Sequence, residues 1–416
     1  MRSNSAALPF IMVTLLLDVL GFGLIIPVLP GLVTGFGRTG DLSESSHVYG
    51  LFIAAYGLMQ FVFSPMLGAL SDMYGRRPII LLSTLGAGLD YLLMAFAPSL
   101  EWLFVGRIIS GLTGANITAV NAYVADVTAP EKRAGAFGMI GACFGIGFIL
   151  GPAAGGLLAD FGPRAPFIAA AVMNLINSAY GFLVLPESLP LKDRKQFEPS
   201  SANPFRSLGM LRRYPVVLGL TLTVTLLTFA QQGMHSTWVL YTTFRFDWTP
   251  MQNGFSLAVV GICAVVVQGG LTRVLVPKLG ERMALLVGMS INAAGMLGIG
   301  LATAGWMLYA ILVVTSVGGI AGPAAQALIS RHVAPNEQGT VQGAVTSLMS
   351  LTGVVAPVFF TFLFGHFTSK NAPIQIPGAS FIAGAVFITL AVFAAIRSFR
   401  KLPEVAPASV VPAAAH

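Results

Sequence analysis

Charge is what this chain has least of. Of its 416 residues 23 are Lys or Arg and 16 Asp or Glu, 9% in all, where a soluble globular domain carries about 25%. With 55% hydrophobic residues and a mean hydropathy of +0.81 averaged over the whole length, the apolar excess is no single signal peptide or anchor on a water-soluble body. The membrane is the main solvent. Cysteine is nearly absent: Cys143 and Cys263 both lie in apolar stretches, offer neither metal-ligand spacing nor a disulfide framework, and read as small buried residues. His47, His235, His332, His366 and His416 are scattered among loops and span ends, without the spacing of a metal site or a nucleophile's base. No Gly-Lys-Ser/Thr loop is present to cradle nucleotide phosphates. An enzyme is therefore not expected, no cofactor or metal is called for, and any work must be driven by a gradient.

Long apolar runs are what the chain has instead. They fall at about 7–34, 47–70, 78–98, 101–125, 135–160, 165–186, 214–240, 251–276, 283–302, 305–330, 340–366 and 376–397, each long enough to cross hydrocarbon as a helix. A barrel would alternate with period two. The expected architecture is all-α and integral to the membrane, with twelve transmembrane helices in two six-helix bundles, 1–186 and 214–398. A polar linker over 187–213 joins them and a tail follows over 399–416. The opening Met1-Arg2-Ser3-Asn4 runs straight into a hydrophobic stretch too long for a signal peptide, so the first run reads as a retained helix.

The net charge of +7 would suggest nucleic acid in a soluble protein, but here the basic residues sit in short stretches between apolar runs. Alternating loops place Arg76, Arg77, Lys132, Arg133, the linker's Lys192, Arg194, Lys195, Arg206, Arg212 and Arg213, Lys278, Arg282, Arg331, Arg397, Arg400 and Lys401 on one side. Only Arg38, Arg164, Arg245 and Lys370 face them. By the positive-inside rule both termini are cytoplasmic.

The halves repeat. A shift of about 205 residues carries Gly75 to Gly280, Pro130 to Pro335, Gly138 to Gly343 and Pro152 to Pro357, and duplicated membrane bundles are a transporter architecture.

An ionisable residue inside a span costs at least about 2.5 kcal/mol and is retained for a reason. Asp18, Asp90 and Arg107 are such residues in the first half, and no Asp or Glu stands inside a span of the second. Apolar-flanked carboxylates suit proton exchange, whereas the permanently charged Arg107 suits electrostatic tuning or anion binding. The structural alternative is an Asp18–Arg107 pair locking the bundle. Between the second and third runs, Gly68-Ala69-Leu70-Ser71-Asp72-Met73-Tyr74-Gly75-Arg76-Arg77 forms a tight hairpin. Asp126 lies near enough in topology to pair with Arg76 or Arg77 as a conformational latch. In the fifth run Gly141 and Gly145, then Gly151 and Gly155, stand four apart, and Pro152 bends the helix.

These residues resemble the major facilitator superfamily, and within it the drug/proton antiporters. The Gly68–Arg77 loop matches the superfamily signature, Arg107-Ile108-Ile109-Ser110-Gly111 the fourth-helix motif, and Gly147, Gly151, Pro152, Gly155 and Gly156 the antiporter motif. Leu17-Asp18-Val19-Leu20-Gly21, Leu58-Met59-Gln60 and Leu89-Asp90-Tyr91 resemble tetracycline efflux proteins, as does the chain over nearly its whole length. The resemblance implies a secondary transporter of the bacterial inner membrane, working as a monomer. It would export tetracycline or a related amphipathic drug, with Mg²⁺ possible as part of the cargo, in exchange for protons. It further implies proton coupling at Asp18 and Asp90, a cytoplasmic gate pair of Asp72 and Arg76, and cleft positions at Gln60 and Gln268. With the loop and latch residues the expected gate is Gly68, Asp72, Gly75, Arg76, Arg77 and Asp126, and Asn116 and Asn292 are further polar residues expected in the cleft. The family's eighth-helix histidine and ninth-helix aspartate fall at Ala264 and Asn292, which leaves coupling to the first half. An importer or uniporter of another small solute, or a non-transporting membrane receptor, are the alternatives.

Overall fold

The computed structural model describes residues 7–37, 41–194, 196, 214–334 and 337–400. Among them every element is helical, and twelve helices are long and apolar enough to cross a membrane. They are numbered here as spans 1 to 12: Leu8–Ile25, Leu42–Tyr74, Arg76–Ala95, Leu100–Val127, Gly135–Phe161, Ala165–Val184, Val216–Phe246, Pro250–Leu279, Glu281–Leu301, Gly305–Arg331, Val341–Thr368 and Ala379–Phe399. Each expected apolar run overlaps one of them, the first, 7–34, also taking in a separate short helix. Arg38, Lys195, Glu198, Arg206, Arg212, Arg213, Pro335, Asn336 and Lys401 lie outside the described residues.

Leu82, Ile176, Phe182, Leu183, Val314 and Phe393 are well exposed, which suits a surface solvated by lipid tails rather than water. Exposed Trp102 and Trp306 stand near the starts of spans 4 and 10, at the depth where indole anchors a helix in the interface. Gly75, at φ +106°, is all that separates span 2 from span 3, and Gly280, at φ +75°, does the same between spans 8 and 9. Only glycine enters that backbone region without strain, so the repeat seen in the sequence is a repeat of hairpin geometry.

Two interruptions matter for function. Span 1 ends at Ile25 and the chain turns through Ile26-Pro27-Val28 before a short helix, Leu29–Phe36. Span 4 consists of two helices, Leu100–Gly114 and Ile117–Val127, broken at Ala115–Asn116. A broken helix exposes backbone groups at mid-membrane, which is tolerated where protein or a cavity satisfies them.

The halves meet along two seams, span 2 on span 11 and span 5 on span 8. Close contacts lie, on both seams, toward the face opposite the linker. A methyl on Gly57 would stand 2.9 Å from the Gly353 carbonyl oxygen, and one on Gly50 3.1 Å from that of Pro357. Ser46 donates to the Thr361 carbonyl at 3.1 Å, and Lys370 lies 3.9 Å from Asp41. On the other seam a methyl on Gly156 would sit 2.6 Å from the Pro250 carbonyl oxygen, and Gly254 abuts the backbone of Pro152. Toward the linker face the contact loosens: Gly145 has Val265 at 3.3 Å, while Gly141, Gly138 and Gly135 of span 5 and Gly269 and Gly270 of span 8 have nothing within 4 Å of a Cβ position. The halves part toward the linker, leaving a cleft open on that side.

Candidate functional site

A cavity of about 310 Å³ lies inside the first half. Asp18, Gln60, Arg107 and Asn116 line it, together with Tyr56, Tyr91, Ser110 and Asn174. Asn116 reaches it because span 4 breaks there: as the residue before Ile117–Val127 it is released from helical register, and its Nδ2 donates to Asp18 Oδ2 at 3.2 Å. The same break frees the Gly114 carbonyl, which accepts from Gln60 Nε2 at 3.3 Å. Behind Asp18, span 6 presents two asparagines, each only 1% exposed. Asn177 donates to the Thr14 carbonyl at 3.2 Å, one turn before Asp18, and a methyl on Gly21, one turn after it, would strike Asn174 Nδ2. Asp18 Oδ1 and the Oδ1 atoms of both asparagines are buried without a hydrogen-bond partner. Buried polar atoms are ordinarily satisfied, so acceptors collected around one carboxyl group suit proton exchange or capture of a ligand's donors.

Asp90 is a separate centre. It is 2% exposed and not part of the cavity wall; Ser110 stands between. The Ser110 hydroxyl donates to Asp90 Oδ2 and accepts from Arg107 Nη2 at 2.7 Å. Arg107 also contacts Met94 Sδ at 3.0 Å and lies 5.8 Å from the Tyr56 ring centroid. Among the described residues Asp18 forms no ion pair with Arg107, so the structural alternative of an Asp18–Arg107 lock is not what the fold builds. The guanidinium is tied to the Asp90 side, and Ser110, which lines the cavity, bridges Arg107 and Asp90.

At the linker-side end of spans 2, 3 and 4 the Arg76 guanidinium is 8% exposed. It lies 2.5 Å from Asp72 Oδ1 and 3.2 Å from Asp126 Oδ2, and it donates to Ser71 Oγ at 2.6 Å. Arg77 is outside this knot and donates to the Phe182 carbonyl at 2.7 Å. Glu187, just past span 6, completes it: its carboxylate accepts from the backbone N–H of Arg76 at 2.9 Å and of Arg77 at 3.3 Å. Those N–H groups are orphans of the span 3 N-terminus, where an anion is favoured. A methyl on Gly75 would collide with that carboxylate, whereas Gly68 is only loosely packed, 3.6 Å from Thr118. Asp72, Arg76 and Asp126 belong to the first half, and Glu187 joins them from the first residue of the linker. The repeat of this knot in the other half is charge-swapped: Glu281, which opens span 9, pairs with Arg331, which ends span 10, at 2.9 Å, each about 205 residues after Arg76 and Asp126.

The fifth-span glycines divide between two neighbours. Gly147, Gly151 and Gly155 bring span 1 close, at Val19, Gly23 and Leu24, while Pro152 and Gly156 face Gly254 and Pro250 of span 8. Gly141 packs on nothing within 4 Å, because it lies where the seam has opened.

The second-half expectations fare differently. Gln268 is exposed on a π-helical turn, Val267–Leu271. Asn292 is not on the cavity; its Nδ2 donates to the Gly318 carbonyl at 3.1 Å, tying span 9 to span 10. Although the sequence suggests a span end, His235 does not lie at one. Span 7 continues to Phe246, where Asp247 caps it in the left-handed region, so His235 is three turns inside. The rule that marked Asp18, an ionisable residue within a span, would have marked it. Ser110, Asn174, Asn177 and Glu187 carried no comparable signal.

Comparison with known proteins agrees with this architecture. The Major Facilitator Superfamily model matches residues 11–357 and 274–413. The chain is 40% identical over 381 residues to a tetracycline resistance protein, class C, of Escherichia coli, covering 91% of this chain and 95% of that one. It is 40% identical over 372 residues to the class G protein of Vibrio anguillarum, covering 87% and 92%. The solved structure of a bacterial homolog of the human lysosomal transporter Spinster, inward-facing and unoccupied, superposes with a TM-score of 0.78 at 18% identity, covering 96% of this chain and 98% of that one, and so shares the fold. A duplicated set of membrane spans, a charged first-half cavity and relatives of this similarity lead to one conclusion: the chain is a multi-pass membrane transporter, not an enzyme, and belongs to the major facilitator superfamily.

Proposed function

We propose that this protein exports tetracycline or a related amphipathic drug across the bacterial inner membrane in exchange for protons, with both termini in the cytoplasm, and that it works as a monomer. The observation that carries the reading is the cavity in which Asp18, Asn116, Gln60 and Arg107 converge, in a fold whose halves part toward the linker. On this reading the linker face is cytoplasmic, as its basic loops require, and the cleft is open inward.

The exchange follows from competition. A drug cation and a proton both neutralise Asp18, so binding of one favours release of the other, and by linkage the coupling is reciprocal. Asp90, reached through Ser110, adds a second protonation that Arg107 tunes. Closing the linker side while parting the two glycine seams then carries the site to the outside. A Mg²⁺ ion travelling with tetracycline is cargo that the cavity's carboxyl and amide oxygens suit by ligand type.

The test is a resistance profile in a bacterial host lacking its own pumps, with tetracycline included, with and without a protonophore. Tetracycline resistance abolished by the protonophore supports the reading. Unchanged susceptibility to tetracycline and other amphipathic drugs at confirmed expression refutes it.

A further inference from the structure

The first half concentrates charge around its cavity, whereas the spans of the second half contain no Asp or Glu beyond Glu281 at the first position of span 9. Among Asp, Glu, Lys, Arg and His, His235 is the side chain set deepest within those spans, eleven residues before span 7 ends at Phe246. It is exposed, and the helix beside it is packed against span 11, where a methyl on Gly233 would strike the Phe360 ring. In a transporter with an open cleft that combination describes a residue on the cleft wall.

Its surroundings fix both position and chemistry. Gln232, one turn earlier, has its Nε2 3.0 Å from where a methyl on Gly353 would stand, and the Gly353 carbonyl in turn meets Gly57 of the other half. Tyr56, the neighbour of Gly57, lines the first-half cavity. His235 therefore sits where the two halves converge at the apex of the cleft. Among the described residues its hydrogen-bond partner is Gln232, whose Oε1 lies 3.4 Å from Nδ1. With Nδ1 donating to that amide oxygen, the neutral imidazole presents Nε2 as a lone-pair acceptor, a tautomer that the Gln232 variant below puts to the test.

We propose that His235 is a specificity-determining residue contributed by the second half, with Nε2 accepting a hydrogen bond from a hydroxyl or amide donor of the transported molecule. The inference rests on the efflux reading above and deepens it. The ligand class is an amphipathic molecule rich in hydroxyl and amide donors, held between Asp18 on one wall and His235 on the other.

The experiment measures tetracycline flux by the full chain in proteoliposomes under an imposed pH gradient, for wild type, His235→Ala, His235→Gln and Gln232→Leu. Loss of one uncharged hydrogen bond to ligand should raise KM on the order of tenfold in His235→Ala while kcat stays within about twofold. His235→Gln, which keeps an acceptor, should recover most of the lost affinity. Gln232→Leu, which removes the tautomer lock, should fall between. Quenching of intrinsic tryptophan fluorescence by tetracycline gives the same ranking without transport. An unchanged KM in His235→Ala overturns the proposal, as does a Gln variant no better than Ala. If the wild type moves no tetracycline, the efflux reading fails and the inference falls with it; wild-type flux with an indifferent Ala variant refutes the inference alone.

Discussion

Wedging the outer seam should redistribute the two conformations. Gly57 and Gly50 both lie on span 2 against span 11, and added methyls would stand 2.9 Å from the Gly353 carbonyl oxygen and 3.1 Å from that of Pro357, with Thr361 also crowding Gly50. Backbone carbonyls cannot swing aside as a flexible side chain can. Overpacking of this kind costs about 1–3 kcal/mol per site. The two glycines are two helical turns apart, about 10 Å, so their effects should nearly add. Gly50→Ala/Gly57→Ala then disfavours the closed outer seam by about 2–6 kcal/mol, whereas inverting a 99:1 distribution takes about 5.5 kcal/mol. The double variant should therefore populate an outward-open form substantially. Labelling of a cysteine placed at Thr361 by an impermeant thiol reagent, in a background without Cys143 and Cys263, reads the opening from outside. Gly141→Ala, with nothing within 4 Å, is the control and should label like the parent. Equal labelling of the wedge and the control, with both proteins folded, would refute the idea that these seams separate during transport.

Asp18→Asn should leave insertion intact and abolish gradient-driven export, while Asp18→Glu retains part of it; normal export by the Asn variant would remove Asp18 from the coupling. Glu187→Ala deprives two N-terminal N–H groups of span 3 of their acceptor and should lower stability by about 1–3 kcal/mol, seen as a reduced thermal midpoint with tetracycline affinity unchanged. Asn292→Asp replaces the donor to the Gly318 carbonyl with an oxygen, so it should destabilise the span 9–span 10 contact; a tighter Mg²⁺–tetracycline complex in that variant would show instead that this position faces the substrate. The Ser43 backbone N–H, ahead of Lys370, holds Asp41 below the usual carboxylate range. Its contribution to the span 2 N-terminus and to the outer seam is therefore complete above its unfolded pKa and is lost only as pH falls through the lowered folded value. Seam labelling in Asp41→Asn should thus differ from wild type by the same factor at pH 8 and pH 5.5.

The twelve spans were legible because hydrocarbon imposes a length and an apolarity that hydropathy records directly. Asp18, Asp90 and Arg107 were legible for the complementary reason, since a charge in that setting is expensive. The glycines of span 5 were legible as a packing surface, but which neighbour each one meets depends on the phase in which spans 1 and 8 approach, and that phase is tertiary. Ser110 and the asparagines of span 6 belong to the same category. A hydroxyl or amide is common in membrane helices, and only the fold shows that Ser110 separates Asp90 from the cavity or that Asn174 and Asn177 flank span 1 on either side of Asp18. Glu187 was obscured because a lone acid at the edge of a linker looks like solvated charge until its neighbours' free N–H groups are located. The partner of Asn292 was equally out of reach, because the Gly318 carbonyl it bonds is laid bare by the 3₁₀ stretch Val317–Ile320.

Drug-driven proton movement tests the central claim most directly. Purified protein in proteoliposomes, given a tetracycline gradient and no initial pH difference, should drive protons opposite to the drug, as reported by a trapped pH-sensitive dye. That movement should disappear in the Asp18→Asn/Asp90→Asn variant although the variant remains folded. Tetracycline flux in the wild type without any proton counterflow, or counterflow that survives loss of both carboxylates, would contradict an account that places the exchange in the first-half cavity.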